Sequence, residues 1–84
     1  MTRFAVIWSP GALRAFEKLD RPIQRRVAAK LDQVAEDPRR WSTRLVGYPS
    51  FRVRVGDLRI IVDIDDVTVQ VLVLQVGHRR NVYR

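Results

Sequence analysis

The chain predicts an α+β fold of order β-α-α-β-β-β, with a helical hairpin packed on one face of a mainly antiparallel sheet. Three observations carry this. Apolar residues recur at helical spacing through the first 37 positions, β-favouring runs separated by short turn signals fill residues 51–76, and the hydrophobic content of 46% is that of a globular chain. With 84 residues and no composition shift, repeat or linker, the expectation is one domain spanning 1–84.

"RFAVIW" (3–8) is a short apolar strand ending at Ser9-Pro10. Ser9 suits an N-cap and Pro10 the first helical position. Ala12, Leu13, Phe16 and Leu19 then mark a helix over about 10–19. Asp20 resets the chain as a second cap, Pro22 follows in the first turn, and Ile23, Val27, Leu31 and Val34 mark a second helix ending near Asp37-Pro38. A connection of a few residues makes the pair antiparallel. "RRWSTRLVGYP" (39–49) lacks periodicity and reads as a loop. "FRVRV", "LRIIVDI" and "VTVQVLVLQV" are strands, joined by two-residue turns at Gly56-Asp57 and Asp65-Asp66, and "HRRNVYR" is a basic tail.

The charge narrows the function. Sixteen basic and nine acidic residues leave a net +7, which suits a polyanionic partner such as nucleic acid or an acidic protein. The longest apolar run is ten residues, against ~20 for a membrane span, and the N-terminus has no signal-peptide core. A cytoplasmic protein without membrane contact is expected, compatible with the lack of cysteine. One histidine and no cysteine argue against a zinc site, and no glycine-rich phosphate loop or serine-hydrolase pattern is present. Trp8 and Trp41 read as packing residues, with Trp41, next to Arg39-Arg40, also suited to contact RNA or a protein.

Strand alternation puts Arg52 and Arg54 on one face and Phe51, Val53 and Val55 on the other. The Gly56-Asp57 turn pairs position 54 with 59, so Arg59 faces Arg54, an arrangement of like charges that destabilises a hairpin. The Asp65-Asp66 turn pairs 64 with 67, which sets 72 opposite 59 and brings His78, Arg79, Arg80 and Tyr83 back toward the arginines. Asp63 and Asp65 share that face but lie ~13–20 Å from Arg59 along the strand. Ordinary solvated arginines are one reading of this face. A phosphate site is the other, because guanidinium matches phosphate oxygens in a planar fork.

The order of elements, the hairpin "RVRVGDLRIIVDI" and the ending "VLQVGHRRNVYR" together resemble RelE-type toxins of the RelE/ParE superfamily, which have a microbial-RNase-like fold. The resemblance spans nearly the whole chain, and its specific part is R-x-R-x-G-x-x-R followed by V-G-H-R-x-x-V-Y. It implies a type II toxin that cuts mRNA in the ribosomal A site and so inhibits translation. The implied reaction is attack of an RNA 2′-OH on the adjacent phosphate, with neither metal nor other cofactor. It also implies a RelB-like antitoxin, contact with operator DNA only through that antitoxin, and a monomeric free toxin. Arg54, Arg59 and Arg79 would stabilise charge, Arg52 and Arg80 would bind RNA, and Tyr83 would stack on a base. RelE enzymes often carry lysines where this chain has Arg52 and Arg54. An arginine, with a pKa above ~12, does not serve as a base, so proton transfer would fall to His78 or Tyr83. A ParE-like inhibitor of DNA gyrase and a non-catalytic nucleic-acid-binding module are the competing readings.

Overall fold

Local sequence signals build the first half of the chain in a computed structural model, which describes residues 3–78. Strand β1 (Ala5–Trp8) leads into helix α1 (Pro10–Glu17) and then α2 (Arg21–Glu36). Ser9 joins the first two elements. Its Oγ accepts from Ala12 N–H at 3.1 Å, capping α1, and donates to the carbonyl of Leu74 at 3.1 Å. One hydroxyl therefore ends a strand, starts a helix and ties both to the far end of the chain. Ser9→Ala should cost about 1–2 kcal/mol, read as a lower urea midpoint at unchanged m-value.

Asp20 occupies the N-cap position of α2 with extended backbone, but its side chain makes no capping hydrogen bond. The joint is held instead by Gln24, whose side-chain amide donates to the carbonyls of Phe16 at 3.0 Å and Glu17 at 3.4 Å. These are orphan acceptors at the end of α1. Ala12, Val27, Leu31 and Val34 are buried against the sheet, with Phe16, Leu19 and Ile23 packed around them. Leu13, expected in the same apolar stripe, is 43% exposed, since it lies about 100° around the helix from Ala12.

Strands β2 (Thr43–Arg44), β3 (Phe51–Val55), β4 (Leu58–Asp65) and β5 (Gln70–His78) complete a sheet of order β1-β5-β4-β3-β2. β1 runs parallel to β5 and the other neighbours are antiparallel. The helices cover one face. Val53, Ile60, Val62, Val71 and Val73 are each at most 1% exposed and form the centre of the core with α2. The Trp8 and Phe16 rings close one end at 4.9 Å between centroids. Among the described residues, no helix is long and apolar enough to cross a membrane.

Two expectations change. The segment 39–49 contains the two-residue strand β2, which pairs Thr43 with Arg52 and Arg44 with Phe51. No alternation was visible there because two residues carry no period. The turn after β4 is longer than two residues, since Asp65 pairs with Gln70 and Ile64 with Val71. Val67, Thr68 and Val69 favour strand by composition. Asp65 overrides them, because its Oδ1 accepts from the N–H groups of Val67 (3.0 Å) and Thr68 (3.1 Å), a local competitor to ladder pairing. Val69 leaves that turn with φ +56°, an unusual conformation for a β-branched residue.

The turn is also stapled from outside. Arg39 grips both carboxylate oxygens of Asp66 at 2.9 Å. That bond holds the Asp66 carboxyl below its ordinary range, while hydrogen bonds, first of all from Thr68, do the same for Asp65. A depressed folded-state pKa contributes stability above the ordinary carboxylate range and loses it as pH falls through the folded value. The difference in Tm between the wild type and Asp66→Asn should accordingly shrink as pH is lowered from about 5. Thermal melts at a series of pH values check this.

Candidate nucleic-acid interface

The β3–β4 hairpin turns at Gly56-Asp57 as its sequence requires. Gly56 has φ +56° and Asp57 does not enter the positive-φ region, the pattern of a II′ turn. Val55 pairs with Leu58, so Arg54 faces Arg59. Val55 and Leu58 close the turn as a hydrogen-bonded pair, which makes Arg54 and Arg59 a non-hydrogen-bonded pair. Their Cα atoms are then only about 4.5 Å apart. The like-charge contact inferred from sequence is thus at the closest spacing a ladder offers.

Arg59 is the unusual member. It is 4% exposed and is the only buried charged side chain among the described residues. Its Nη1 donates to the carbonyls of Leu58 at 3.1 Å and Gly56 at 3.3 Å, but no carboxylate pairs with it among the described residues. Across β5 stands Gly77, which has no side chain, so Arg59 has no neighbour directly opposite on that side. Arg52 is partly buried, and its Nε is shielded from solvent with no hydrogen-bond partner among the described residues. Arg54 is exposed. Asp63, on the same face, accepts from the Ser50 hydroxyl at 2.8 Å and forms no ion pair among the described residues. Among the described residues, the face holds three guanidiniums that no carboxylate pairs. Such a group can bind a phosphate and stabilise charge that grows on it.

His78 is not part of this group. It lies opposite Leu58 and lines a cleft on the helical side with Lys18, Asp20, Arg26 and Asp57. The cause is a one-residue bulge. Ile61 pairs with Gln75 but Val62 pairs with Val73, which leaves Leu74 extra. An extra residue flips every later side chain to the other face, so Gly77 takes the arginine side and His78 the helical side. Leu74 is also the residue whose carbonyl accepts from Ser9. Arg79, Arg80 and Tyr83 lie outside the described residues.

The residues missed in the sequence are on α2. Arg26 lies over the turn, its Nη2 3.3 Å from where a Cβ on Gly56 would sit. Arg26, Lys30 and Gln33 line a cleft of about 400 Å³ with Arg54, Val55 and Gly56. Their i, i+4, i+7 spacing was legible as one helical face, but nothing local indicated which strand that face would meet.

A helical hairpin thus covers one side of a five-stranded sheet, and a guanidinium cluster lies on the other. The family model for the ParE toxin of type II toxin–antitoxin systems matches residues 6–83, and the chain belongs to that family. The fold is also similar to solved RelE structures. A chain of the RelBE2 toxin–antitoxin complex from Mycobacterium tuberculosis is 28% identical with a TM-score of 0.81, over 92% of this chain and 99% of that one. A chain of the intact E. coli RelBE toxin–antitoxin complex is 26% identical with a TM-score of 0.82, over 89% and 95%. The isolated E. coli RelE toxin is 27% identical with a TM-score of 0.81, over 95% and 90%. Comparison with curated proteins by sequence gives no significant match.

Proposed function

We propose that this toxin is a RelE-type endoribonuclease that cleaves mRNA in the ribosomal A site and so blocks translation. The observation that carries this reading is Arg59, buried at 4% exposure with no carboxylate partner among the described residues and set opposite Arg54. A structural arginine this buried is ordinarily paired with a carboxylate. In the proposed reaction the RNA 2′-oxygen attacks the adjacent phosphorus and the bond to the 5′-oxygen breaks, which leaves a 2′,3′-cyclic phosphate and a 5′-hydroxyl. Arg54, Arg59 and Arg79 align the phosphate and stabilise its extra charge. Arg52 and Arg80 hold the flanking backbone. Tyr83 is assigned the stacking and proton-transfer role, since His78 stands on the opposite face of the sheet.

The same reading assigns a RelB-like antitoxin as the cytoplasmic partner, supported by the M. tuberculosis and E. coli relatives, whose structures are toxin–antitoxin complexes. An acidic antitoxin laid over the arginines would relieve their repulsion as it binds. Operator contact would belong to the complex, and the free toxin would be a monomer. A second reading is favoured by the family match itself, which is to ParE toxins: inhibition of DNA gyrase. Toeprinting in a translation extract, run beside a gyrase supercoiling reaction, decides between them. The ribonuclease reading expects cleavage within the A-site codon and unimpaired supercoiling. Intact mRNA with arrested supercoiling would overturn it.

A further inference from the structure

We infer that the cleft between α2 and the outer edge of β3 is a second RNA-backbone site, adjoining the arginine face and reached over the β3 edge. Its walls hold Arg26 and Lys30 from the helix and Arg54 from the strand, with Gln33 as a neutral donor and no carboxylate among the described residues. None of the three cations enters an ion pair among the described residues. The acids of α2 that do form ion pairs are elsewhere: Asp32 and Glu36 are both held by Arg3, at 2.8 Å and 3.8 Å, and their helical positions fall about 80–160° around the axis from Arg26 and Lys30. The nearest acid along the hairpin, Asp57, borders the neighbouring cleft.

The strand side of the cleft adds a donor. β2 pairs only with Phe51 and Arg52, so no strand of the described residues covers the outer edge of 53–55. In the ladder set by the Val55–Leu58 pair, the backbone N–H of Arg54 points to that open edge. The cleft thus offers two guanidiniums, an ammonium, an amide and a backbone N–H, the donor set of a phosphate site. The basic stripe also continues past it. Lys30 Nζ lies 5.1 Å from the Trp41 ring centroid, and the Arg40 guanidinium lies 5.2 Å from the same ring. Arg54 borders both sites, so a strand whose phosphate sits between Arg54 and Arg59 can turn over the β3 edge into the cleft. Only the choice of RNA as the polyanion rests on the ribonuclease reading; the site itself rests on geometry.

The test is fluorescence anisotropy of the full-length toxin with labelled single-stranded RNA of 5 and 20 nucleotides and with duplex RNA, from 0.05 to 0.3 M salt, each range chosen on the order of the screening regime. Arg26→Ala/Lys30→Ala is expected to bind the 20-mer about tenfold more weakly, with a salt slope smaller by about one. Arg26→Lys/Lys30→Arg should keep the slope, which separates lost charge from a disturbed fold. Loss with the 20-mer but not the 5-mer means one strand fills both sites, and loss with the duplex means a second RNA fills the cleft; either supports the inference. Unchanged slopes for all three RNAs would overturn it. So would unchanged RNA binding combined with weaker binding of polyglutamate, which would assign the cleft to an acidic protein. Cleavage is scored separately by toeprinting. A changed slope without wild-type cleavage sinks the ribonuclease reading alone, and wild-type cleavage with an unchanged slope sinks the cleft alone.

Discussion

Replacing Arg59 with methionine should leave the fold within about 1 kcal/mol of the wild type, while cleavage falls by about 100-fold or more. The two effects have one origin. Arg59 is 4% exposed and faces Arg54 across a non-hydrogen-bonded pair, so its charge is held away from water and against a like charge. Methionine keeps most of the apolar stem that packs on the sheet and removes the charge. Exchanging a buried ion for an apolar side chain of similar volume is often neutral or stabilising. Against this stand the two hydrogen bonds to the Leu58 and Gly56 carbonyls, at 3.1 and 3.3 Å. Losing them offsets the gain, since a hydrogen bond from a charged group contributes about 1.5–3 kcal/mol. On the chemical side, removing one preorganised donor to a transition-state oxyanion costs about 10²–10³ in rate. Urea denaturation and toeprinting on the same preparation give both numbers. A variant that lost several kcal/mol and cut mRNA normally would show Arg59 to be a structural residue. Function and structure separate here because cleavage falls while stability stays nearly unchanged.

Ile60→Ala is expected to have the largest effect on stability. Ile60 is 0% exposed and belongs to the cluster that joins β3, β4, β5 and α2, so its methyl and methylene groups have no solvent to expand into when deleted. Such truncations cost about 2–5 kcal/mol. A domain of this size is stable by about 4–12 kcal/mol, so the variant stands near the edge of unfolding. The urea midpoint should drop sharply without a change in m-value, which would indicate lost stability and not a changed denatured state. Val67, 92% exposed in the β4–β5 turn, is the matched control. Val67→Ala should lie within about 0.5 kcal/mol of the wild type.

The hairpin site was legible from sequence because its geometry is local. A two-residue turn fixes register, register fixes which side chains face each other, and "FRVRVGDLR" contains every residue needed to place Arg54 against Arg59. The helices were legible for the same reason, through capping residues and a 3.6-residue period. The register at His78 has two causes, of which only the bulge, a non-local one, sets its face. Asp65 captured two backbone N–H groups and shifted the β4–β5 register by four residues, and the bulge at Leu74 added one more, moving the partner of Arg59 from 72 to 77. Four residues preserve the face of a strand and one reverses it. The meeting of Arg26 and Lys30 with Arg54 was hidden in another way. Their helical face is written in the sequence, but the strand it meets is set by how the whole helical layer lies on the sheet.

By itself, then, the sequence determined the class of fold, the order of its elements apart from β2, the excess of cations and the repulsive arginine pair, all consequences of composition or of spacing within a few residues. Only the tertiary structure decided that Arg59 is buried, that His78 faces the helices, and that α2 and the β3 edge enclose a second basic cleft. Each of those depends on contacts between segments tens of residues apart, where one shifted register or one rotated helix changes which side chains meet.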